Sequence, residues 1–132
     1  MEQELRVGIV GKRELTVTAE LTAAACGSGL LPVFATPQMI AMMEQTAAES
    51  VAPYLPEGSS TVGTHLDVRH LAATPVGLAV TCETELVEID RRRLVFSCRA
   101  YDSAGLIGEG VQERFIVNSE SFLRKTEAKR GE

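Results

Sequence analysis

Residues 36–52 constrain the fold more than any other part of the chain, because they are predicted to form one long helix. Thr36 is a suitable N-cap, since its hydroxyl can accept a hydrogen bond from a free amide of the first turn. Pro37 follows at a position where a missing N–H costs nothing, and Pro53 and Pro56 prevent the helix from continuing. An amphipathic helix of this length needs another surface to cover its apolar face.

One acidic residue falls on that apolar face. At about 100° per residue, the face is predicted to carry Thr36, Ile40, Met43, Glu44, Ala47, Ala48 and Val51. The opposite face carries Gln38, Gln45 and Glu49. Burying a carboxylate is costly, so Glu44 is expected either to have a partner or to take part in catalysis.

The composition is that of an ordinary soluble domain, with 132 residues of which 45% are hydrophobic and 23% charged. A net charge of −5 argues against nucleic-acid binding, and no apolar run approaches the ~20 residues of a membrane span. The first four residues are acidic and do not resemble a signal peptide. An odd number of widely spaced cysteines predicts reduced, buried thiols in a cytoplasmic protein and no metal site: Cys26, Cys82 and Cys98.

The rest of the chain is predicted to be mainly extended. Residues 5–21 indicate one bent strand or two short ones, and residues 22–35 form either a lid or a plain connector. Short turns separate four strand-like runs and favour antiparallel hairpins between them: 60–73, 76–89, 92–101 and 105–118. The charged tail from about residue 119 is predicted to form a short helix followed by disorder.

One helix, one preceding strand element and four later strands predict an α+β fold in a single domain spanning residues 1–132. A curved antiparallel sheet wrapped around the helix would bury its apolar face. Such a sheet leaves an edge strand free to pair with a second copy of the chain, which predicts a homodimer or a higher homo-oligomer.

Two histidines lie on the first strand after the helix. Alternation along the strand places His70 on the same face as Leu66 and Val68, toward the helix, and His65 outward. A β-bulge would reverse this assignment. A buried histidine near Glu44 could form an acid–base pair, or both side chains could be core polar groups with satisfied hydrogen bonds.

Two further residues have two interpretations each, and a third is expected to form an ion pair. Thr36 is either only a helix cap or a hydroxyl beside amides that bind an oxyanion. Gly63 either lets a ligand approach the backbone or marks a bulge. Arg114, in the middle of a strand, is expected to pair with a neighbouring acid such as Glu109 or Glu113.

Several motifs in combination resemble the fluoroacetyl-CoA thioesterase-like branch of the hot-dog fold thioesterase superfamily. They are Phe34-Ala35-Thr36-Pro37, Glu44 eight positions after Thr36, and a strand that contains Val68-Arg69-His70-Leu71. The similarity covers roughly residues 5–118. It implies a hot-dog fold, in which a curved antiparallel sheet wraps around one long central helix, and a homodimer with active sites at the subunit interface.

The same resemblance implies hydrolysis of an acyl-CoA thioester. Its catalytic constellation corresponds to Thr36, Glu44 and His70, and its substrate-binding residues to Phe34, Gly63 and Arg114, the last toward the CoA moiety. No metal or bound organic cofactor is implied, because coenzyme A is part of the substrate.

The resemblance leaves other questions open. The lid of the fluoroacetyl-specific enzyme carries aromatic residues, whereas residues 27–31 here read Gly-Ser-Gly-Leu-Leu, so the acyl group stays undefined. Covalent attack by Glu44 and direct attack by water are both open. Two alternatives share the fold: an acyl-CoA binding protein without turnover, and a dehydratase.

Overall fold

The protein consists of one long helix packed across one five-stranded sheet. A computed structural model describes residues 4–131; Glu132 and the first three residues of the acidic start lie outside the described residues. The strands are β1 (Val10–Thr16), β2 (Ser59–His70), β3 (Ala79–Asp90), β4 (Arg93–Asp102) and β5 (Gly105–Asn118). The helices are α1 (Ala23–Cys26), α2 (Thr36–Val51) and α3 (Ser119–Glu127), with 3₁₀ turns at Ala19–Leu21, Ala52–Tyr54 and Ala128–Arg130.

The sheet has the order β1-β3-β4-β5-β2, and all neighbouring strands are antiparallel. The predicted hairpins between β3 and β4 and between β4 and β5 are confirmed; their turns use positive φ angles at Arg91 and Gly105. The expected hairpin between β2 and β3 is wrong. β2 pairs with β5 instead, because residues 71–78 are held by the segment before α2, through the Phe34 N–H to Thr74 carbonyl bond and the bridge from Val33 to Pro75.

Helix α2 begins and ends close to the predicted positions, but its start differs in detail. Ala35 occupies the capping position and no side chain caps the helix, so the prediction that Thr36 is the N-cap is wrong. Thr36 is the first helical residue, and its hydroxyl bonds to a histidine of β2 instead of to the helix backbone.

The buried face of α2 is rotated relative to the predicted one. It consists of Met39, Met42, Met43, Thr46, Ala47 and Val51. These side chains pack on core residues of the sheet, among them Leu86, Leu94 and Phe96, and burying each large one contributes about 1.5–3 kcal/mol. The predicted stripe members Ile40, Glu44 and Ala48 lie at the border of this face and are only half-buried.

At its two ends the described chain forms short elements of secondary structure. Residues 5–21 contain a single strand, β1, and a 3₁₀ turn after it, so the alternative of two short strands is wrong. The predicted tail helix is confirmed as α3, whose first turn is capped by the Asn118 side chain accepting from the Ser121 N–H at 3.0 Å. A 3₁₀ turn, Ala128–Arg130, follows in place of the expected disorder. Among residues 4–131, no helix is long and apolar enough to cross a membrane.

The cysteines are free thiols, but they are not all buried as predicted. Cys82 and Cys98 lie in the core, and Cys26, at the end of α1, is exposed. Burial raises the pKa of the Cys98 thiol to about 11 and also raises the pKa of Cys82. Both core thiols are therefore protonated and shielded at neutral pH.

We expect the folded protein to react with a thiol reagent such as DTNB at one site, Cys26, because attack requires an accessible thiolate. The unfolded, unreduced protein should titrate as three thiols per chain. Three rapidly reacting thiols in the folded state would contradict the burial of Cys82 and Cys98. A single thiol in the unfolded state would reveal a disulfide.

Candidate active site

A β-bulge at Thr64 decides which residues of β2 face helix α2. The pairing of β2 with β5 shifts register between Gly63 and His65. Before the bulge, Thr61 and Gly63 point toward the helix side; after it, His70 does. Because the bulge precedes both histidines, His70 keeps its predicted inward position, and His65 stays exposed on the outer face.

His70 forms a close pair with the first residue of α2. Its Nδ1 lies 2.8 Å from the Thr36 hydroxyl oxygen, and the Phe34 ring packs edge-on against the imidazole at 6.5 Å between centroids. Burial lowers the pKa of His70, an effect partly offset by the Ala72 backbone, so the ring is neutral at pH 7. The Nε2 atom of His70 is buried and has no hydrogen-bond partner among residues 4–131.

A cavity of about 260 Å³ opens beside this pair. Its wall is mostly small and apolar, with Ala23, Val33, Phe34, Leu71, Ala72 and Ala73 among its residues. The segment predicted to be a lid or a connector supplies one side of the cavity, and Leu30 and Leu31 of that segment are exposed to solvent. The cavity therefore combines an apolar lining with the polar Thr36–His70 pair.

Glu44 belongs to a second polar group, separate from the first. Its Oε2 accepts a hydrogen bond from Arg114 Nη1 at 3.2 Å, and the two side chains are 36% and 8% exposed. Gly63 faces the Glu44 carboxylate so closely that a Cβ at this position would collide with it. The glycine thus marks a bulge, and the group that approaches its backbone is Glu44.

The predicted partners of Arg114 are wrong. Glu109 lies 3.9 Å from Arg99, and Glu113 bonds to Arg93 at 3.0 Å. Both acids lie on the outer face of the sheet, whereas the side chain of Arg114 points inward under α2, because successive strand residues alternate.

The two polar groups lie at different positions along α2. Thr36 and Glu44 are eight residues apart, which corresponds to a rise of about 12 Å. Within one chain, His70 therefore pairs with Thr36 and not with Glu44. Helix and strand periodicity placed all three residues on the inner side, but it could not give the distance between them.

Comparison with known proteins identifies the family. The profile of the fluoroacetyl-CoA-specific thioesterase family matches residues 17–120. A fluoroacetyl-CoA thioesterase of Streptantibioticus cattleyicolor is 41% identical over 97 residues, which cover 74% of this chain and 70% of that enzyme. The chain belongs to the fluoroacetyl-CoA-specific thioesterase family.

Solved structures agree with this assignment. A mutant of the family's fluoroacetyl-CoA enzyme in complex with acetyl-CoA has a TM-score of 0.91 at 33% identity, covering 96% of this chain and all of that one (100%). A hot-dog-like protein from Thermanaerovibrio acidaminovorans has a TM-score of 0.89 at 27% identity, covering 97% and 95%. The predicted α+β hot-dog fold and the resemblance to this thioesterase family are both confirmed.

Sequence reasoning missed two residues of the site in this family member. Thr61 accepts from Arg114 Nε at 2.9 Å, and Gln112 accepts from Arg114 Nη1 at 3.3 Å. Gln112 was detectable, because it lies two positions before Arg114 on a strand and shares its face. Thr61 was not detectable, because only the bulge turns it inward.

The Gly63→Ala variant is expected to displace the Glu44 carboxylate, because the added methyl group would occupy its position. We expect a loss of about 1 kcal/mol in unfolding free energy, because the displaced carboxylate loses its bond to Arg114 but can turn toward solvent. Chemical denaturation of both proteins measures this loss. Gly29→Ala is the matched control, since its Cβ would meet only Ala23 at 3.4 Å, and equal stabilities of the two variants would contradict the contact.

Proposed function

We propose that this protein hydrolyses acyl-CoA thioesters to a free acid and coenzyme A. The observation that carries the proposal is the Thr36–His70 pair at the start of α2, next to an apolar cavity, in a member of a thioesterase family. An acyl group can occupy such a cavity while its carbonyl carbon stays close to the polar pair.

The start of α2 supplies groups that suit the developing oxyanion. The N–H groups of the first turn have no acceptor within the helix, and Pro37 contributes none. The amides of Thr36 and Gln38 are therefore available for the negative charge that forms on the thioester oxygen, reinforced by the helix dipole.

His70 acts as a neutral imidazole in this proposal. In the tautomer protonated at Nε2, the Thr36 hydroxyl donates to Nδ1, and the unpartnered Nε2–H can donate to the thioester or to the leaving sulfur. The lowered pKa favours this neutral form at pH 7. Thr36 therefore orients His70 and not Glu44.

Glu44 is proposed as the nucleophile toward the carbonyl carbon or as the base that activates water. Either role requires it to reach the thioester held near Thr36, about 12 Å away along the same helix. A second copy of the chain offers a shorter route, so we propose that Glu44 of one subunit acts together with Thr36 and His70 of the other.

Two features support such a homodimer. β2 is a twelve-residue edge strand with one side unpaired in the described chain, whereas the other edge, β1, is shorter and carries consecutive charged residues. The half-buried border of α2, with Ile40, Glu44 and Ala48, also leaves room for a second wall. Antiparallel pairing of two β2 strands about a point between Leu66 and Asp67, slightly beyond the strand centre, would bring Gly63 of one copy opposite His70 of the partner subunit. Further association into tetramers is compatible with this pairing.

The remaining predicted site residues fit this proposal in different ways. Phe34 lines the acyl cavity and supports His70, and Gly63 makes room for Glu44. Arg114 is buried under Glu44, so we assign it to holding that carboxylate and not to a direct contact with CoA. The proposed reaction uses side chains and backbone amides alone, without a metal or bound organic cofactor, and we propose that it takes place in the cytoplasm.

A screen of acyl-CoAs with a thiol-trapping dye tests the function. Release of free CoA thiol from at least one short or medium acyl-CoA, with fluoroacetyl-CoA and acetyl-CoA included, is the expected result. Binding without thiol release would indicate an acyl-CoA binding protein. A change at an enoyl double bond without thiol release would indicate a dehydratase, and either result would overturn the proposal.

The Glu44→Gln variant should lower the turnover number on the best acyl-CoA by about 10²-fold or more, the loss expected for a positioned base or nucleophile. It should also cost about 1–2 kcal/mol of stability. Arg114 loses its charged partner, but the 36% exposed carboxylate keeps this loss below that of a fully buried pair.

Glu49→Gln is the matched control, because Glu49 is exposed and its carboxylate makes surface contacts, with Arg13 at 2.6 Å and Gln45 Nε2 at 3.4 Å. Steady-state kinetics and thermal unfolding of both variants give the comparison. Near-normal turnover in folded Glu44→Gln would contradict the catalytic role of Glu44 and leave it a structural role only.

Mixing two inactive variants tests the shared site. If Glu44 of one subunit works with His70 of the other, a heterodimer of Glu44→Gln and His70→Asn has one intact site and one doubly altered site. Random exchange of subunits makes half of the dimers mixed, so turnover should recover to about a quarter of wild type. No recovery in mixtures in which native mass spectrometry shows mixed dimers would place each site within one chain, and a monomer in sedimentation would also refute the arrangement.

A further inference from the structure

Gln112 is a buried amide in the middle of the core, a position where an apolar residue would normally be expected. It is 1% exposed and lies on the inner face of β5, between Leu66 of β2 and Phe96 of β4 in the sheet register. Burying an amide costs free energy unless all of its hydrogen-bonding groups find partners. The contacts of this side chain therefore indicate what it does.

All three hydrogen-bonding groups of the Gln112 amide are used. Nε2 donates to the Met43 carbonyl of α2 at 3.0 Å and to Cys98 Sγ at 3.2 Å. Oε1 accepts from Arg114 Nη1 at 3.3 Å. One side chain thus connects the helix backbone, at the residue immediately before Glu44, with the guanidinium that holds the Glu44 carboxylate.

Arg114 is fixed almost entirely by neutral groups. Its Nε and Nη2 donate to the hydroxyl and the carbonyl of Thr61, at 2.9 and 3.2 Å. Its Nη1 divides its two hydrogens between Gln112 and Glu44. Since the plane of a guanidinium is rigid, the three bonds to Thr61 and Gln112 set the direction of the hydrogen that reaches Glu44.

We propose that Gln112 is a positioning residue for Glu44, acting through Arg114 and through the backbone of α2 at Met43. It fixes the cation and the helix relative to each other, and so defines the place of the Glu44 carboxylate beside Gly63. The inference rests on the proposed role of Glu44 in thioester hydrolysis. Gln112 does not touch the substrate; it limits the range of positions open to the group that does.

The Gln112→Met variant keeps the length and volume of the side chain and removes its hydrogen bonds. We expect kcat on the best acyl-CoA to fall about 10- to 100-fold, the effect of a small misplacement of a reacting group. The KM should change by less than about threefold, because the cavity beside Thr36 and His70 is not altered.

Thr46→Val is the matched control, because the Thr46 hydroxyl also bonds a carbonyl of α2 from a buried position, to Met42 at 2.7 Å, but does not contact Arg114. Both variants should unfold at lower temperature. If Gln112 were only structural, Gln112→Met would lose stability as Thr46→Val does and keep its kcat, and that result would overturn the proposal.

A second pair of variants tests the network if Gln112→Met does not fold. Thr61→Val removes the acceptor of Arg114 Nε, and Thr61→Ser keeps it. The proposal expects reduced kcat in the first and recovery of most of it in the second. Equal kcat values in the two variants would contradict it.

A readout that does not need activity separates this proposal from the function. In the wild type the buried Arg114 Nε–H should give a slowly exchanging ¹⁵N NMR signal, assigned with Arg114→Lys. The signal should broaden or exchange rapidly in Gln112→Met and persist in Thr46→Val. If the wild type hydrolyses no acyl-CoA but the NMR signals show this pattern, only the proposed function is refuted. If the signal is unchanged in Gln112→Met, only the positioning role is refuted.

Discussion

The packing of α2 across the inner face of the sheet is the interaction on which the rest of the structure depends. Its methionines and Val51 share one buried core with sheet residues such as Leu86, Phe96 and Ile107, and removing one such side chain would cost about 2–5 kcal/mol. The same contact fixes where the helix starts, and hence where its free amides meet His70. It also fixes which helix residues lie at the border of the core, where a carboxylate keeps access to solvent.

A buried cation is the second constraint, and it is satisfied locally. Arg114 is 7% exposed, and Glu44 is the carboxylate that it contacts among the described residues. Thr61 and Gln112 accept three of its other four hydrogens, so protein groups solvate most of the charge. A buried polar network of this kind lowers stability relative to an apolar core unless every member is paired. Its presence is therefore consistent with a role other than stability, which is to hold Glu44 in place.

The site divides into two halves with different chemistry. One half, at the start of α2, offers amides, a neutral imidazole and an apolar cavity, which suit an acyl carbonyl and its leaving sulfur. The other half offers a carboxylate held by a cation and a glycine notch, which suits nucleophilic or base chemistry. Helix geometry keeps the halves apart within one chain, so the proposed dimer follows from the chemistry as well as from the free edge of β2.

Local patterns in the sequence determined the long helix, the four later strands, two of the hairpins and the inward direction of His70, because helix and strand periods act between near neighbours. The combined motifs around Thr36, Glu44 and His70 also led to the correct family. Only the tertiary structure decided that β2 pairs with β5, that the bulge at Thr64 turns Thr61 and Gly63 inward, and that Arg114 selects Glu44 and not Glu113. Those outcomes depend on contacts between residues far apart in the chain, such as Thr64 with Glu113 and Glu44 with Arg114, and no local period in the sequence carries that information.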